Sequence, residues 1–196
     1  KSAGDSRVNQ KGFYFMDLDY GKEVPDDLER YDEYRHALKT DEWLRTDIRL
    51  TDKTLLNIPD NRIIYGNMQS EDYFYDRLDL VKEWLKVREE YDHMDTNEKD
   101  LCVLNFRGGD MIGNPGAYVP RKYWTNAMQR MLEYNPKMKF CVVTDDVATA
   151  QEMIPECPAY HRDVAWDYVA VKNARNVIST TSTFSCFPLW TSETLE

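Results

Sequence analysis

The sequence predicts an α/β protein built on a doubly wound parallel sheet. Leu101 to Leu104 and Phe140 to Thr144 are short apolar runs, the pattern of strands buried on both faces, and each is followed by a turn and then a helical pattern. A third unit has the same form, with a brief strand at Asn176 to Ser179 and a hydroxyl-rich turn into an apolar helix start. Strand-turn-helix units in succession imply parallel strands joined by right-handed crossovers.

Composition narrows the class. A chain of 196 residues with 42% hydrophobic content can bury one substantial core, or one domain and part of another. The net charge of -10 argues against a broad nucleic-acid surface, which needs clustered Lys and Arg. No run approaches the roughly 20 apolar residues of a membrane span, and no signal peptide opens the sequence. A cytoplasmic location is therefore expected. Cys102, Cys141, Cys157 and Cys186 lack a CxxC spacing, and two of them lie in strand-like runs, so buried free thiols are expected. His36, His93 and His161 are too dispersed for a metal site and read as ordinary surface or core residues. No metal is expected.

Taken in order, Lys1 to Lys11 reads as a polar flexible arm and Gly12 to Asp19 as a short strand. Pro25 to Tyr34 reads as a charged helix with proline near its first turn, followed by a helix from Thr40 to Arg49. Asn61 to Tyr65 is a strand candidate ended by Gly66. Ser70, Glu71 and Asp72 open a helix to Val87 whose core stripe is Tyr73, Leu78, Leu80, Val81, Trp84 and Leu85. Arg88 to Lys99 reads as a solvated helix end and loop. Beyond the central strand, Asn114 to Gly116 marks a loop, and Pro120 starts an amphipathic helix to Tyr134. Helices are also expected over Ala148 to Met153 and Trp166 to Ala174.

Three strand ends carry the chemistry. Ligands of open α/β sheets bind at the carboxyl ends of strands, so Arg107, in the turn Arg107-Gly108-Gly109-Asp110, stands where a planar, permanently charged fork can grip a phosphate. An ordinary glycine turn with a solvated arginine is the alternative. Asp145 and Asp146 end the second strand, either shaping the cleft or capping the next helix. Thr180 to Ser185 offers hydroxyls and backbone N–H groups at a helix start, either as an anion site or as a simple N-cap.

This ordered set resembles the α-1,2-fucosyltransferases and, more loosely, the fucosyltransferase superfamily of GT-B architecture. Asn105-Phe106-Arg107-Gly108-Gly109-Asp110 is similar to the family's His-x-Arg-Arg-Gly-Asp, Thr144-Asp145-Asp146 to its Ser-Asp-Asp, and Thr181-Ser182-Thr183-Phe184-Ser185 to its Asn-Ser-Thr-Phe-Ser. The segments Gly66 to Phe74 and Tyr123 to Ala127 agree with two further family segments, and the likeness covers roughly Tyr65 to Trp190. Asn105 stands where the family has histidine, which in related enzymes helps hold the guanine nucleotide, and Gly108 stands in place of a second arginine. The family also has a glycine-rich strand-turn near its N-terminus and extends beyond the third motif. Neither feature is seen here, so the chain reads as incomplete.

The resemblance implies a Rossmann-like nucleotide-sugar domain over residues 101–196, preceded by an acceptor-side segment with linking helices over 1–100. It implies a metal-independent, inverting glycosyltransferase that moves L-fucose, or a related deoxyhexose, from a nucleoside-diphosphate sugar such as GDP-fucose to a glycan hydroxyl. No cofactor is implied. Arg107 matches the arginine that grips the donor β-phosphate, with Ser182 and Thr183 adding hydroxyl and N–H donors. Asn105, Asp145 and Asp146 join the donor site, and Asp163 or Asp167 matches an acidic residue that contacts base or ribose. Asp110 serves either as the general base or as a brace for its turn. The competing class is a non-catalytic nucleotide-sugar or carbohydrate binding module that keeps the fold after the changes at Asn105 and Gly108.

Overall fold

The computed structural model describes residues 13–18, 25, 27–33, 53–66, 70–109, 119–180 and 182–195. The expected arm at Lys1 to Lys11, helix at Thr40 to Arg49 and loop at Asn114 to Gly116 lie outside them. The chain divides into two units, one of residues 1–5 and 19–81 and one of residues 6–18 and 82–196.

The first unit contains strand β1 (Glu29–Asp32) paired in parallel with β2 (Arg62–Tyr65), in register from Glu29 opposite Arg62 to Asp32 opposite Tyr65. The expected strand ending at Gly66 is present. The charged helix expected from Pro25 to Tyr34 is not, because Glu29–Asp32 is extended and held by partners distant in sequence. Arg62 ion-pairs with Glu29 at 2.9 Å, the Arg30 guanidinium lies 3.7 Å from the centre of the Tyr65 ring, and the Tyr31 and Thr54 hydroxyls meet. Asn61 enters β2 with a φ of 60°, in the left-handed region that asparagine tolerates better than most residues.

The helix expected from Ser70 to Val87 is broken. Two 3-10 turns, Glu71–Tyr73 and Tyr75–Arg77, precede α1 (Leu78–Trp84). Ser70 caps the first, its hydroxyl accepting the Asp72 N–H at 3.4 Å, but Phe74 at φ -145° and ψ 5° leaves the helical region and stops propagation. The expected core stripe is corrected too: within α1 only Val81 is buried, and Trp84 is 62% exposed.

The second unit is the predicted doubly wound sheet. Its described strands are β3 (Leu101–Phe106), β4 (Lys139–Thr144), β5 (Ala159–Tyr160) and β6 (Asn176–Ser179), all parallel in the order β5-β4-β3-β6. The helices are α2 (Arg121–Tyr134), α3 (Val147–Met153), α4 (Val164–Lys172) and α5 (Thr183–Thr191). Because side chains alternate along a strand, β3 feeds two cores. Leu104 and Phe106 pack with Val142, Ile178, Trp124, Met128 and Ala150 on the face covered by α2 and α3. Val103 packs with Cys141, Val143, Ala170 and Val171 on the other face, beneath α4. Each fully buried Val or Leu contributes about 1.5–3 kcal/mol, so apolar burial on both faces holds the sheet together.

Two expectations for the flanking segments change. Of the strand expected at Gly12 to Asp19, Met16 forms an isolated antiparallel bridge with Val87. Residues 88–99 are a loop, as expected, but not a freely solvated one. Its side chains complete the C-terminus of α4, where the last carbonyls lack helical partners. The buried Thr96 hydroxyl donates to Ala170 O at 2.6 Å and Asn97 Nδ2 to Asn173 O at 3.1 Å. Asn173 Nδ2 in turn donates to Asp92 and to His93 O. All four cysteines are free, as read from the sequence, and burial pushes the Cys102 thiol to about 12 and those of Cys141 and Cys157 to about 11.

Among the described residues, no helix is long and apolar enough to cross a membrane.

Candidate functional site

The chain runs from β3 outward through β4 to β5 and then returns to place β6 on the other side of β3. That reversal opens a crevice at the carboxyl ends of the strands, the usual ligand position in such sheets. A cavity of about 70 Å³ lies there, lined by side chains including Asn105, Arg107, Asp145, His161, Asp167 and Phe184. At about 10–15 Å³ per water on this measure, it has room for several waters or a small polar group.

Arg107 follows β3 directly. Its guanidinium Nη1 pairs with Asp145 Oδ2 at 3.1 Å, and the other carboxylate oxygen accepts the Gly108 N–H at 2.9 Å. One aspartate at the end of β4 thus fixes both the side chain and the backbone of the turn after β3. The two glycines follow from that closeness. A Cβ on Gly109 would lie 2.6 Å from Asp145 Oδ2, and one on Gly108 would lie 2.8 Å from Asp146 Cβ. A second arginine at Gly108 would not fit this turn without a shift of α3.

Asp146 is the N-cap of α3. Its carboxylate accepts the Thr149 hydroxyl at 2.7 Å and the Thr149 N–H at 3.1 Å, and these bonds hold it below the usual carboxylate range. Both of its oxygens serve the helix start. Asn105 lines the cavity but is only 4% exposed, and both ends of its amide are engaged. Its Oδ1 accepts the Ser185 hydroxyl, and its Nδ2 lies 3.4 Å from Val143 O. Asn105 therefore ties β3 to β4 and to the first turn of α5.

Ser182 is the N-cap of α5, its hydroxyl accepting the Phe184 N–H at 3.2 Å, and Thr183 begins the helix. These residues follow β6, the neighbour of β3, so they belong to the same sheet edge as Arg107. Tyr123 of α2 donates to Ser179 O at the end of β6 at 2.6 Å, and burial raises its phenol above the ordinary value. Asp110 lies outside the described residues.

The acidic pair considered for base or ribose contact divides into two environments. Asp163 is the N-cap of α4, accepting the Trp166 N–H at 2.8 Å and the Tyr14 hydroxyl at 3.1 Å; the bond from Trp166 is the main cause that lowers its carboxyl. Asp167 is buried at 4% exposure, and desolvation raises its carboxyl against the hydrogen bonds that lower it. Its Oδ2 lies 2.6 Å from His161 Nδ1, and its Oδ1 accepts the Arg162 N–H at 3.3 Å.

His161 is the residue that sequence reading missed. It follows a strand of only two residues, too short to announce itself, and its partner lies one helical turn inside α4. The pattern that would have found it is a histidine just beyond a strand end with an aspartate six residues on.

No family model and no curated protein matches the chain significantly. Among solved structures the chain is similar to POFUT1 in complex with GDP, in a high-resolution dataset, at 10% identity and a TM-score of 0.45, covering 73% of this chain and 57% of that one. A further crystal form of POFUT1 with GDP is similar at 10% identity and a TM-score of 0.45, covering 71% and 54%. The chain spans a little over half the length of the structures it resembles.

Proposed function

We propose that this protein is a glycosyltransferase that moves L-fucose or a related deoxyhexose from a nucleoside-diphosphate sugar, GDP-fucose first among candidates, to a glycan hydroxyl with inversion. The observation that carries this reading is Arg107, fixed by Asp145 at the crevice of a doubly wound sheet, on the same edge as the start of α5. A leaving nucleoside diphosphate needs positive charge and N–H donors on its β-phosphate as the bond to the sugar breaks. Arg107 supplies the charge, and the Ser182 turn supplies hydroxyl and N–H groups.

In the transfer, the acceptor oxygen forms a bond to the anomeric carbon from the face opposite the phosphate. The carbon–oxygen bond to the phosphate breaks, and the diphosphate keeps the electron pair. The acceptor proton passes to a carboxylate, for which Asp110 is the candidate. Asp167 is the candidate for contact with base or ribose.

The second reading, a nucleotide-sugar or carbohydrate binding module without turnover, is favoured by Asn105, whose amide is engaged at both ends within the fold. A donor screen separates the two. The protein is incubated with GDP-fucose, GDP-mannose, and dTDP- or UDP-rhamnose, with and without EDTA, and nucleoside-diphosphate release is followed. Release from one donor that needs an acceptor and survives EDTA supports the transferase, with Asp110→Asn abolishing turnover but not donor binding. Binding without release from any donor supports the module.

A further inference from the structure

The crevice contains a histidine that the transfer chemistry above leaves unused. His161 follows β5, and its Nδ1 lies 2.6 Å from Oδ2 of Asp167 in α4. The carboxylate is buried, whereas the imidazole is 42% exposed, and both line the cavity with Arg107 and Asp145. Engagement of Nδ1 by Asp167 fixes the ring and leaves Nε2, on its far edge, for a ligand.

The charges around the cavity give this pair its significance. From the ends of β3 and β4 come Arg107 and Asp145, already paired with each other. From α4 come Asp167 and, at the N-cap, Asp163, which is held by Tyr14 and the Trp166 N–H. The Arg162 guanidinium is directed elsewhere, 3.6 Å from Asp95 and 4.3 Å from the centre of the Trp166 ring. Phe184 of α5, Val164 of α4 and Thr144 of β4 bring no charge. With a neutral imidazole the lining is therefore net negative, since Arg107 is set against Asp145 and Asp167. A nucleoside diphosphate, itself multiply anionic, would enter such a lining against repulsion.

We infer that His161, oriented by Asp167, is a second anion-binding group of this crevice, gripping a phosphate as the imidazolium and releasing it on losing its proton. The inference rests on the reading that the crevice takes a nucleoside diphosphate. Histidine changes charge between about pH 5 and 8, so phosphate affinity falls across that range. The ligand's own ionisation works in the opposite direction, because a phosphate losing its last proton near about pH 6 becomes a stronger partner for cations. Arg107 stays charged throughout.

The test is calorimetric binding of GDP and of inorganic pyrophosphate to the full chain at about pH 6 and about pH 8. Wild-type protein is expected to bind both about tenfold more tightly at the lower pH. His161→Gln, neutral throughout, is expected to lose the tighter binding at the lower pH and to keep only the ligand's own, opposite dependence. A His161→Gln profile that matches wild type at both pH values overturns the inference while leaving the nucleotide site standing. Arg107→Ala separates the two ideas. If it binds GDP and pyrophosphate as well as wild type, the reading of the crevice falls, and this inference falls with it.

Discussion

The two parallel sheets share one hydrogen-bond pattern and almost nothing else. In β3, β4 and β6, Val103, Leu104, Val142, Val143 and Ile178 are buried, and helices cover both faces. In β1 and β2 the strands read Glu-Arg-Tyr-Asp and Arg-Ile-Ile-Tyr, with no residue of either buried, and the cross-strand contacts are an ion pair and a cation over a ring. Exposed ion pairs contribute about 0–1 kcal/mol, and an isolated two-stranded sheet is marginal in water. The contrast teaches that hydrogen-bond topology alone does not make a sheet stable. Placement of reactive groups is best entrusted to the sheet whose faces are both filled.

The largest expected effect tests that statement directly. Leu104→Ala in β3 empties a fully buried site and is predicted to lower unfolding stability by about 2–5 kcal/mol. Ile64→Ala in β2, at a position 43% exposed, is predicted to cost less than about 1 kcal/mol. Denaturant unfolding of both variants gives the comparison, and equal losses would break it.

The next test uses a feature the two sheets do share. Each has a strand-end glycine pressed against an acidic side chain: a Cβ on Gly66 would lie 2.4 Å from Glu33 Cβ, as one on Gly109 would lie 2.6 Å from Asp145 Oδ2. Gly66→Ala is predicted to displace Glu33 from its 2.8 Å bond with the Tyr73 hydroxyl and to destabilise by about 1–3 kcal/mol, with donor affinity unchanged. Gly109→Ala is predicted to disturb the Arg107–Asp145 pair and weaken GDP binding about tenfold. Thermal melts and calorimetry, run on both variants, read the two effects separately. A loss of GDP affinity in Gly66→Ala, or none in Gly109→Ala, would remove the functional distinction between the two ends.

A smaller effect concerns how the filled sheet is tied down. Thr96→Val removes the hydroxyl that satisfies Ala170 O near the end of α4 and is predicted to cost about 1–2 kcal/mol in denaturant unfolding. A neutral substitution would mean that water completes this helix end equally well.

The same contrast explains what could be read from the sequence. Strands β3, β4 and β6 were legible because their signal is local in sequence: short runs with an apolar centre, each ended by a turn, mark strands buried between helices in an α/β protein. β1 was misread as helix because its partners, Arg62, Tyr65 and Thr54, lie more than twenty residues away and charged residues carry little strand signal. The break at Phe74 was invisible for a similar reason, since apolar spacing continued across it. In the crevice, the position of Arg107 directly after an apolar strand and before two glycines made it legible. Asn105 as an internal tie and His161 as the partner of Asp167 were not, because both roles exist only once α5 and α4 are packed against the sheet.

The smallest predicted effect distinguishes the two aspartates at the start of α4 by sign. Asp163, mainly through the Trp166 N–H bond, has its folded-state carboxyl below the ordinary value of about 3.9. Its contribution is therefore present above that value and is lost as pH falls through the lower, folded one. Asp167 has its carboxyl raised by burial, so its contribution is present at low pH and is lost as pH rises through the folded value. Asp163→Ala should cost about 1 kcal/mol near neutral pH, the usual loss for an N-cap, and the gap from wild type should close as pH falls from the ordinary carboxylate range of about 3.9 through the lower, folded value. Melting temperatures of both proteins across that range check the prediction. A gap that stays constant would mean that Asp163 acts through packing, and that the charged cap contributes nothing to holding α4 and the His161 corner of the crevice in place.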